Sequence, residues 1–438
     1  MSVELLSLLL FGSAIILIAL GLPLVFSLGG VAIVFLFLVW DVPYYQAIYW
    51  DARHILSSVL FLPIPLFIFM ANMLERSGIA EDLYVMMHRW MGRLGGGLAM
   101  GTVLICTLLA AMVGLSSAAV VTMGVTALPA MIKRGYDKRL AIGCIAAGGT
   151  LGILIPPSVI MLVYAHVAQV SLGRLFLAGV FPGLLLSLLF VIYIGVRSRL
   201  QPDMGPALPP EERANWKEKV VSLRSVILPV ALVIVVLVSI YKGVASITES
   251  AAIGAAGSII CAIIMRRLTW KNFKETNYET LKLTVMIMWI MTAALSLTRA
   301  YVVIGAIEFI KELFLWLPFG KWGALIVIQL TLLIMGCLLD PFGIIMLAVP
   351  LYLTTINYVG FDPIWFGIIF VVNMEMAYLT PPVGINLFYM KALAPEGTTM
   401  FDIYRSVTPF VLLQGLCLIL VIVFPQIAMW LPNLVFGF

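Results

Sequence analysis

Hydrophobic residues in this chain come in long blocks, not at the alternating or helical spacing of a half-buried element. Most blocks run 16 to 20 residues, the length that carries a helix across a bilayer. They fall at Leu5 to Leu20, Leu24 to Trp40, Ser58 to Met73, Leu175 to Val196, Val226 to Tyr241, Thr248 to Met265, Leu283 to Thr298 and Val407 to Trp430. Gly21-Leu22-Pro23 forms a tight turn between the first two, and Pro63 and Pro65 are placed to kink the third. Two other blocks, Leu140 to Val167 and Trp365 to Met390, are each interrupted by a Pro-Pro pair. Proline has no amide donor and clashes with the preceding turn, so two in succession break a helix in mid-span. The pairs stand at 156–157 and 381–382, 225 positions apart in a chain of 438 residues.

Two more blocks, Leu94 to Ile132 and Lys321 to Leu353, are too long for one crossing and short for two. Each carries a polar interruption near its middle, at Gly114 to Ala118 and at Cys337 to Gly343. Basic residues flank both ends of the first (Arg89, Arg93; Lys133, Arg134, Lys138, Arg139), so both ends belong on the cytoplasmic side. The expectation is a re-entrant hairpin with arms of about 16 residues; two short spanning helices are the alternative. The chain then reads as an all-α polytopic membrane protein of two halves, 1–200 and 226–438, joined by a cytoplasmic linker at 201–225. Each half holds five spans and one hairpin (94–132 and 321–353), with a broken helix at 140–167 and at 365–390. Glu75 to Arg93 reads as an amphipathic segment along the surface, matched in the second half by Tyr301 to Leu317. Arg197 to Arg224, Arg266 to Lys282 and Lys391 to Arg405 all fall inside if the halves are inverted, which agrees with the charge bias.

Composition narrows the class. With 63% hydrophobic and 11% charged residues, the chain has far more apolar sequence than a soluble core needs. The net charge of +5 fits basic cytoplasmic loops, not nucleic-acid binding. The 5 cysteines stand singly in apolar runs, without the clustering of a disulfide framework or zinc site. The N-terminal block lacks a basic leader and a small-residue cleavage site, so it is expected to be retained. No P-loop, HExxH or GxSxG motif occurs, which leaves an ion gradient as the energy source and no enzyme chemistry.

A sodium ion wants hard oxygens, and a broken helix offers carbonyls without a fixed charge. Gly152, Ile155 and Pro157 present carbonyls at the first break, with Ser116 and Ser117 adding hydroxyls from the hairpin tip. By the 225-residue shift, Ala377, Thr380 and Pro382 do so at the second, facing Leu339 and Asp340. Asp340 is either an ion ligand or a cap at its tip. Glu375, an acid at membrane depth, is expected to pair with a basic residue of another helix. Arg299 ends a span on the far side and is expected to snorkel. Ser246 to Glu249 reads as a capping box. His54, His88 and His166 fall in three separate regions, as interfacial residues do.

The motifs GLSSAAVVTMG (114–124), RGYDKRLAIGCIAAGGTLGILIPPS (134–158), TESAAIGA (248–255), GCLLDPFG (336–343) and NMEMAYLTPPVGINLF (373–388) resemble the large membrane subunit of tripartite ATP-independent periplasmic (TRAP) transporters. Two details depart from that pattern: Gly114-Leu115 replaces a leading Ser-Gly at the first tip, and Ser-Ile-Thr-Glu replaces Thr-Pro-Thr-Glu before the seventh span. The resemblance implies a bacterial inner-membrane protein with an elevator-type fold of the ion-transporter superfamily. It implies two sodium sites at the tips and broken helices, with sodium as coupling ion and no other cofactor. It also implies a small organic acid delivered by a periplasmic binding protein, and pairing with a separate small four-helix membrane subunit. On that basis the carboxylate pocket lies between the sodium sites, lined by Ser117, Pro157, Ser158, Pro382, Gly384 and Asn386. Two alternatives are a stand-alone carboxylate carrier of the same fold and, more remotely, a membrane-embedded enzyme.

Overall fold

In a computed structural model, the structure describes residues 2–39, 43–209, 213–306, 308–309, 312 and 320–437. The described residues form α-helices and short 3-10 turns, with no strand among them. The first group is α1 (Val3–Ala19), α2 (Leu24–Val39), α3 (Pro43–Ser57), α4 (Pro63–Arg76) and α5 (Ile79–Met91). Then follow α6 (Gly97–Val113), α7 (Ser116–Lys133), α8 (Lys138–Thr150), α9 (Val159–Val167) and α10 (Leu172–Leu200). The second half holds α11 (Trp216–Tyr241), α12 (Ile247–Ile264), α13 (Trp270–Ile304), α14 (Gly320–Gly336), α15 (Pro341–Tyr358), α16 (Pro363–Ala377), α17 (Ile385–Leu393), α18 (Met400–Val423) and α19 (Gln426–Phe436).

The 225-residue shift seen in the proline pairs recurs in the element starts. Helices α7 and α15 begin at 116 and 341, and α8 and α16 begin at 138 and 363. Asp137 and Asp362, again 225 apart, both cap the helix that follows by accepting two backbone N–H groups. Both Pro-Pro bonds are cis. Each hairpin is followed by its broken helix, so one order of elements is used twice.

Six helices among the described residues are long and apolar enough to cross a membrane. The second arms of both hairpins, α7 and α15, are among them at 18 residues each. The arms outrun the 16-residue expectation because the tips are tighter than the polar stretches suggested: Ser116 and Ser117 are already helical, and so are Pro341 to Gly343.

Helices α8 and α16 form the buried centre. Every residue from Leu140 to Thr150 is buried, although this stretch is rich in Gly and Ala. The reason is close approach on three sides: a methyl on Gly143, Gly148 or Gly149 would run into Ser406 and Phe410 of α18, Cys106 of α6 and Val120 of α7 respectively. Small residues let helices pack tightly where lipid supplies no hydrophobic drive. A second group packs around α13, with α2 and α4 against it and α12 against α4. Asn72 Nδ2 donates to Thr280 Oγ1 at 3.2 Å, and Arg76 pairs with Glu275, fastening α4 to α13. Arg267 donates to the carbonyls of Ser77 and Gly78 and pairs with Asp82, fixing the α4–α5 turn to the loop after α12. Large apolar side chains of α1, α2 and α11 are exposed, as lipid-facing helices require.

Several expectations are corrected. Pro63 does not kink a span: it occupies the first turn of α4, where its missing N–H costs nothing. The span expected at Leu283 to Thr298 belongs to one 35-residue helix that begins at Trp270, since nothing between Lys271 and Lys282 interrupts it. The basic helix of the linker, Trp216–Arg224, joins the following span, Val226–Tyr241, in α11 with a 50° bend between them. The final block divides at Phe424–Pro425 into α18 and α19. The surface arm expected at Tyr301 to Leu317 begins inside α13, and most of the rest lies outside the described residues. The capping box at Ser246 is present, with Glu249 and Ser246 exchanging side-chain and backbone hydrogen bonds.

Candidate functional site

The helix between α8 and α9 gives way to a 3-10 turn (Leu151–Ile153) and then to five residues without regular structure. Ser158 closes the break: its hydroxyl accepts the Met161 N–H and donates to the Ile153 carbonyl. That use as a cap leaves Ser158 buried behind the hairpin tip. No hydrogen bond among the described residues reaches the carbonyl oxygens of Ile155 and Pro157, nor those of Thr380 and Pro382 at the second break. Bare carbonyls at membrane depth are tolerated only where protein, water or an ion takes them up. Ala377 differs, because its carbonyl accepts the Thr380 N–H, and the Thr380 hydroxyl donates to Met376.

Each hairpin tip presses on its own break. Gly114 ends α6 with φ +64, and a methyl on it would lie 2.3 Å from the Pro157 carbonyl oxygen. Gly152 is equally constrained by the Leu115 carbonyl group. In the second half the Val383 N–H donates to the Cys337 carbonyl, and a methyl on Gly336 would meet the Ala377 side chain. A cavity of about 10 Å³, lined by Gly336, Leu339, Ala377, Tyr378 and Gly384 among others, remains between tip and break. That is about the volume needed to seat one water-sized group. Asp340 occupies the N-cap position of α15 without a side-chain capping bond.

The two halves meet through Asn386. Its amide donates to Ser116 Oγ at 2.9 Å and to the Ala146 carbonyl at 3.1 Å, and Ser116 Oγ lies 3.1 Å from its Oδ1. Ser116 and Asn386 are both buried. Ser117, one residue on, points elsewhere. It lines a cavity of about 520 Å³ together with Asn72, Glu75, Thr122, Glu279 and Tyr389. This cavity separates α7 and α17 from α4 and α13. Of the six residues expected around a substrate, only Ser117 reaches it. Pro157, Ser158 and Asn386 are buried, Gly384 lines the small second-tip cavity, and Pro382 is exposed. Tyr389 was missed; it sits one helical turn after Asn386, and that spacing was the available signal.

Glu375 has no basic partner among the described residues. It is fully buried, and both of its carboxylate oxygens lack a hydrogen-bond partner among the described residues. The pairing expected from sequence fails because the two ion pairs described, Arg76–Glu275 and Arg267–Asp82, both lie in the other helix group. Two positions earlier on the same helix, Asn373 Nδ2 donates to the side chain and carbonyl of Gln329 on α14.

Lipid-facing helices, two hairpin tips seated on two broken helices, and an open polar cavity beside them define a membrane transporter. The fold is similar to that of the Alcanivorax borkumensis YdaH transporter, with a TM-score of 0.59 over 90% of this chain and 88% of that one at 13% identity. The family model for the tripartite ATP-independent periplasmic transporter, DctM component, matches residues 11–427, and the chain belongs to that family. It is 34% identical to the C4-dicarboxylate TRAP transporter large permease protein of Vibrio cholerae, over 100% of this chain and 99% of that one. It is 30% identical to the ectoine/5-hydroxyectoine large permease of Ruegeria pomeroyi, over 98% of this chain. A relative from Oleidesulfovibrio alaskensis, 30% identical over 96% of this chain and 65% of its own length, is named an isethionate TRAP transporter permease protein DctMQ. The chain is therefore a multi-pass transporter subunit and not an enzyme, one member of a tripartite system with a substrate-binding protein and a small membrane subunit.

Proposed function

We propose that this subunit carries out sodium-coupled uptake of a small organic acid across the bacterial inner membrane. The acid arrives on a periplasmic binding protein, and the chain works together with the small four-helix subunit. The two halves are inverted repeats whose hairpins are re-entrant, and the hairpin-bearing helices move as an elevator against α1–α4 and α11–α13. The observation that carries this reading is the set of bare carbonyls at Ile155, Pro157, Thr380 and Pro382, each break pressed by a hairpin tip. Hard, uncharged oxygens suit sodium, whereas a proton would want a titratable relay. Ion sites are then built from Ser116, Gly152, Ile155 and Pro157 on one side and Leu339, Asp340, Ala377, Thr380 and Pro382 on the other. The acid sits in the cavity beside Ser117 and Tyr389. The substrates named for relatives, C4-dicarboxylates, ectoine and isethionate, each carry an acid group, which supports an acid as substrate here.

The test is uptake into proteoliposomes holding this chain and the small subunit, with a panel of organic acids, each with and without its binding protein. Uptake needing both an inward sodium gradient and the binding protein is expected. Uptake driven by a proton gradient alone sinks the carbonyl-site argument, and sodium-driven uptake without a binding protein makes the chain a stand-alone carrier.

A further inference from the structure

Three helices that are distant in sequence converge beside the buried centre. Helix α8 packs against α18, and α10 packs against both. Between them lies a cavity of about 350 Å³, lined by Asp137, Arg139, Tyr193, Arg197, Arg405 and Ser406 among others. Arg139 sits in the first turn of α8, Arg197 in the last turn of α10 and Arg405 in the second turn of α18. Lys133, Arg134 and Lys138 before or at the start of α8, and Arg199 at the end of α10, put this side of the molecule in the cytoplasm.

The charges around this cavity do not cancel. No ion pair among the described residues uses any of the three arginines. Arg197 Nε donates to the Met204 sulfur at 3.2 Å, and the Arg405 guanidinium lies 4.3 Å from the centroid of the Phe401 ring, so neither contact neutralises its charge. Two acids are near, and both are engaged in capping. Asp137 accepts the Arg139 and Leu140 N–H groups, and Asp402 accepts the Thr399 N–H and hydroxyl, with Lys138 and Arg139 within Coulombic range. Away from the cavity, both flanking helices turn apolar faces outward. Leu184, Leu188, Ile192 and Val196 of α10 recur every fourth residue and are exposed; Leu412, Leu416, Ile419 and Val423 of α18 lie exposed along the face that Arg405 begins. Tyr193, its ring centroid 5.3 Å from that of Phe410, stands one turn before Arg197, as aromatic residues do at a bilayer interface.

We propose that the cavity bounded by Arg139, Arg197 and Arg405 binds the phosphate headgroup of an anionic phospholipid of the inner leaflet, with the acyl chains along the apolar faces of α10 and α18. A phosphodiester accepts the paired N–H donors that a guanidinium presents, and here three guanidiniums come from three helices. Basic residues that only mark the cytoplasmic side can stand anywhere on the loops, whereas these gather on one cavity at the foot of surfaces that lipid covers. A free phosphate would use the arginines but not the apolar faces, so the lipid is the occupant that fits both. Held there, it ties the start of α8, the helix that leads into the first break, to the ends of α10 and α18. The inference does not depend on which solute is carried.

The experiment is native mass spectrometry of the full chain in detergent, titrated with phosphatidylglycerol and with phosphatidylethanolamine of the same acyl chains. The wild type is expected to prefer phosphatidylglycerol. R139Q/R197Q/R405Q is expected to lose roughly tenfold to a hundredfold in affinity for it, with phosphatidylethanolamine little changed. The control is K271Q/K274Q/K282Q, which removes three charges on the same side of the membrane at the start of α13 and should keep the preference. An arginine variant that elutes as the wild type does and still prefers phosphatidylglycerol overturns the proposal. So does an equal loss in the lysine control, because the lipid would then follow overall charge. Should the triple variant fail to fold, R197Q and R405Q are measured singly, each with an expected loss of roughly three- to tenfold. Inorganic phosphate separates the two sources of the headgroup chemistry. If it displaces phosphatidylglycerol at equal concentration, the site takes free phosphate and the lipid reading falls; if it does not, the lipid reading is supported.

Discussion

Replacing Gly114 by Ala puts one methyl group against the carbonyl that the sodium reading depends on. The residue holds φ +64, and the added carbon would sit 2.3 Å from the Pro157 oxygen, where ordinary contact begins at 3.4 Å. Tip and break must therefore separate by about 1 Å, at a cost of about 1–3 kcal/mol for an overpacked site. The left-handed backbone adds about 1–2 kcal/mol for any residue with a Cβ. Gly135→Ala isolates that second part, because Gly135 has φ +75 and nothing within 4 Å of an added methyl. A metal ligand tolerates displacement of only about 0.2 Å, so G114A is expected to weaken apparent sodium affinity at least roughly tenfold, about 1.4 kcal/mol. G135A should leave sodium affinity alone. The assay is the sodium dependence of uptake, paired with sodium-dependent protection against thermal unfolding. If G114A and G135A show the same sodium dependence, Pro157 is not a ligand and the contact between tip and break is packing alone.

Other outcomes follow from the same geometry. Asn386→Ala leaves the Ser116 hydroxyl unpaired in the core and removes a second donor from the Ala146 carbonyl, and is expected to cost about 2–3 kcal/mol, with Ser116→Ala costing about 1–2; chemical denaturation in detergent measures both. Glu375→Gln keeps the shape and removes the capacity for charge in a site without a counter-charge, so stability should change by no more than about 1 kcal/mol, while Glu375→Lys should abolish folded yield on size exclusion. Tyr389→Phe and Ser117→Ala, which alter the wall of the 520 Å³ cavity without touching the breaks, are expected to raise KM for the acid several-fold and leave sodium affinity intact in the uptake assay.

Much of the fold was legible because bilayer physics writes itself in block lengths. The Pro-Pro pairs located both breaks, and the 225-residue shift between them reappears in the starts of α7 and α15 and of α8 and α16. Lengths of polar-flanked helices were not legible. Hydropathy stops where charges begin, but a helix such as α13 continues through Lys282 into Trp270 because its hydrogen bonds are internal and indifferent to polarity. The site residues were named by spacing, which finds the chain positions near a break and not the direction of each side chain. Ser116 and Ser117 are neighbours in sequence, yet helical geometry sends one to Asn386 and the other to the cavity. His166 and Arg299 each looked interfacial alone; only the fold brings them onto one cavity with Arg53.

The Asn386 contacts make the two halves mutually dependent. A side chain of the second half completes the first tip and steadies a carbonyl of α8, so the first half by itself does not carry a finished tip. A chimera joining the first half of one family member to the second half of another would inherit two half-matched keys, unless positions 116, 146 and 386 were exchanged together. One order of elements is used twice in the chain, and this bridge obliges the two halves to change in step.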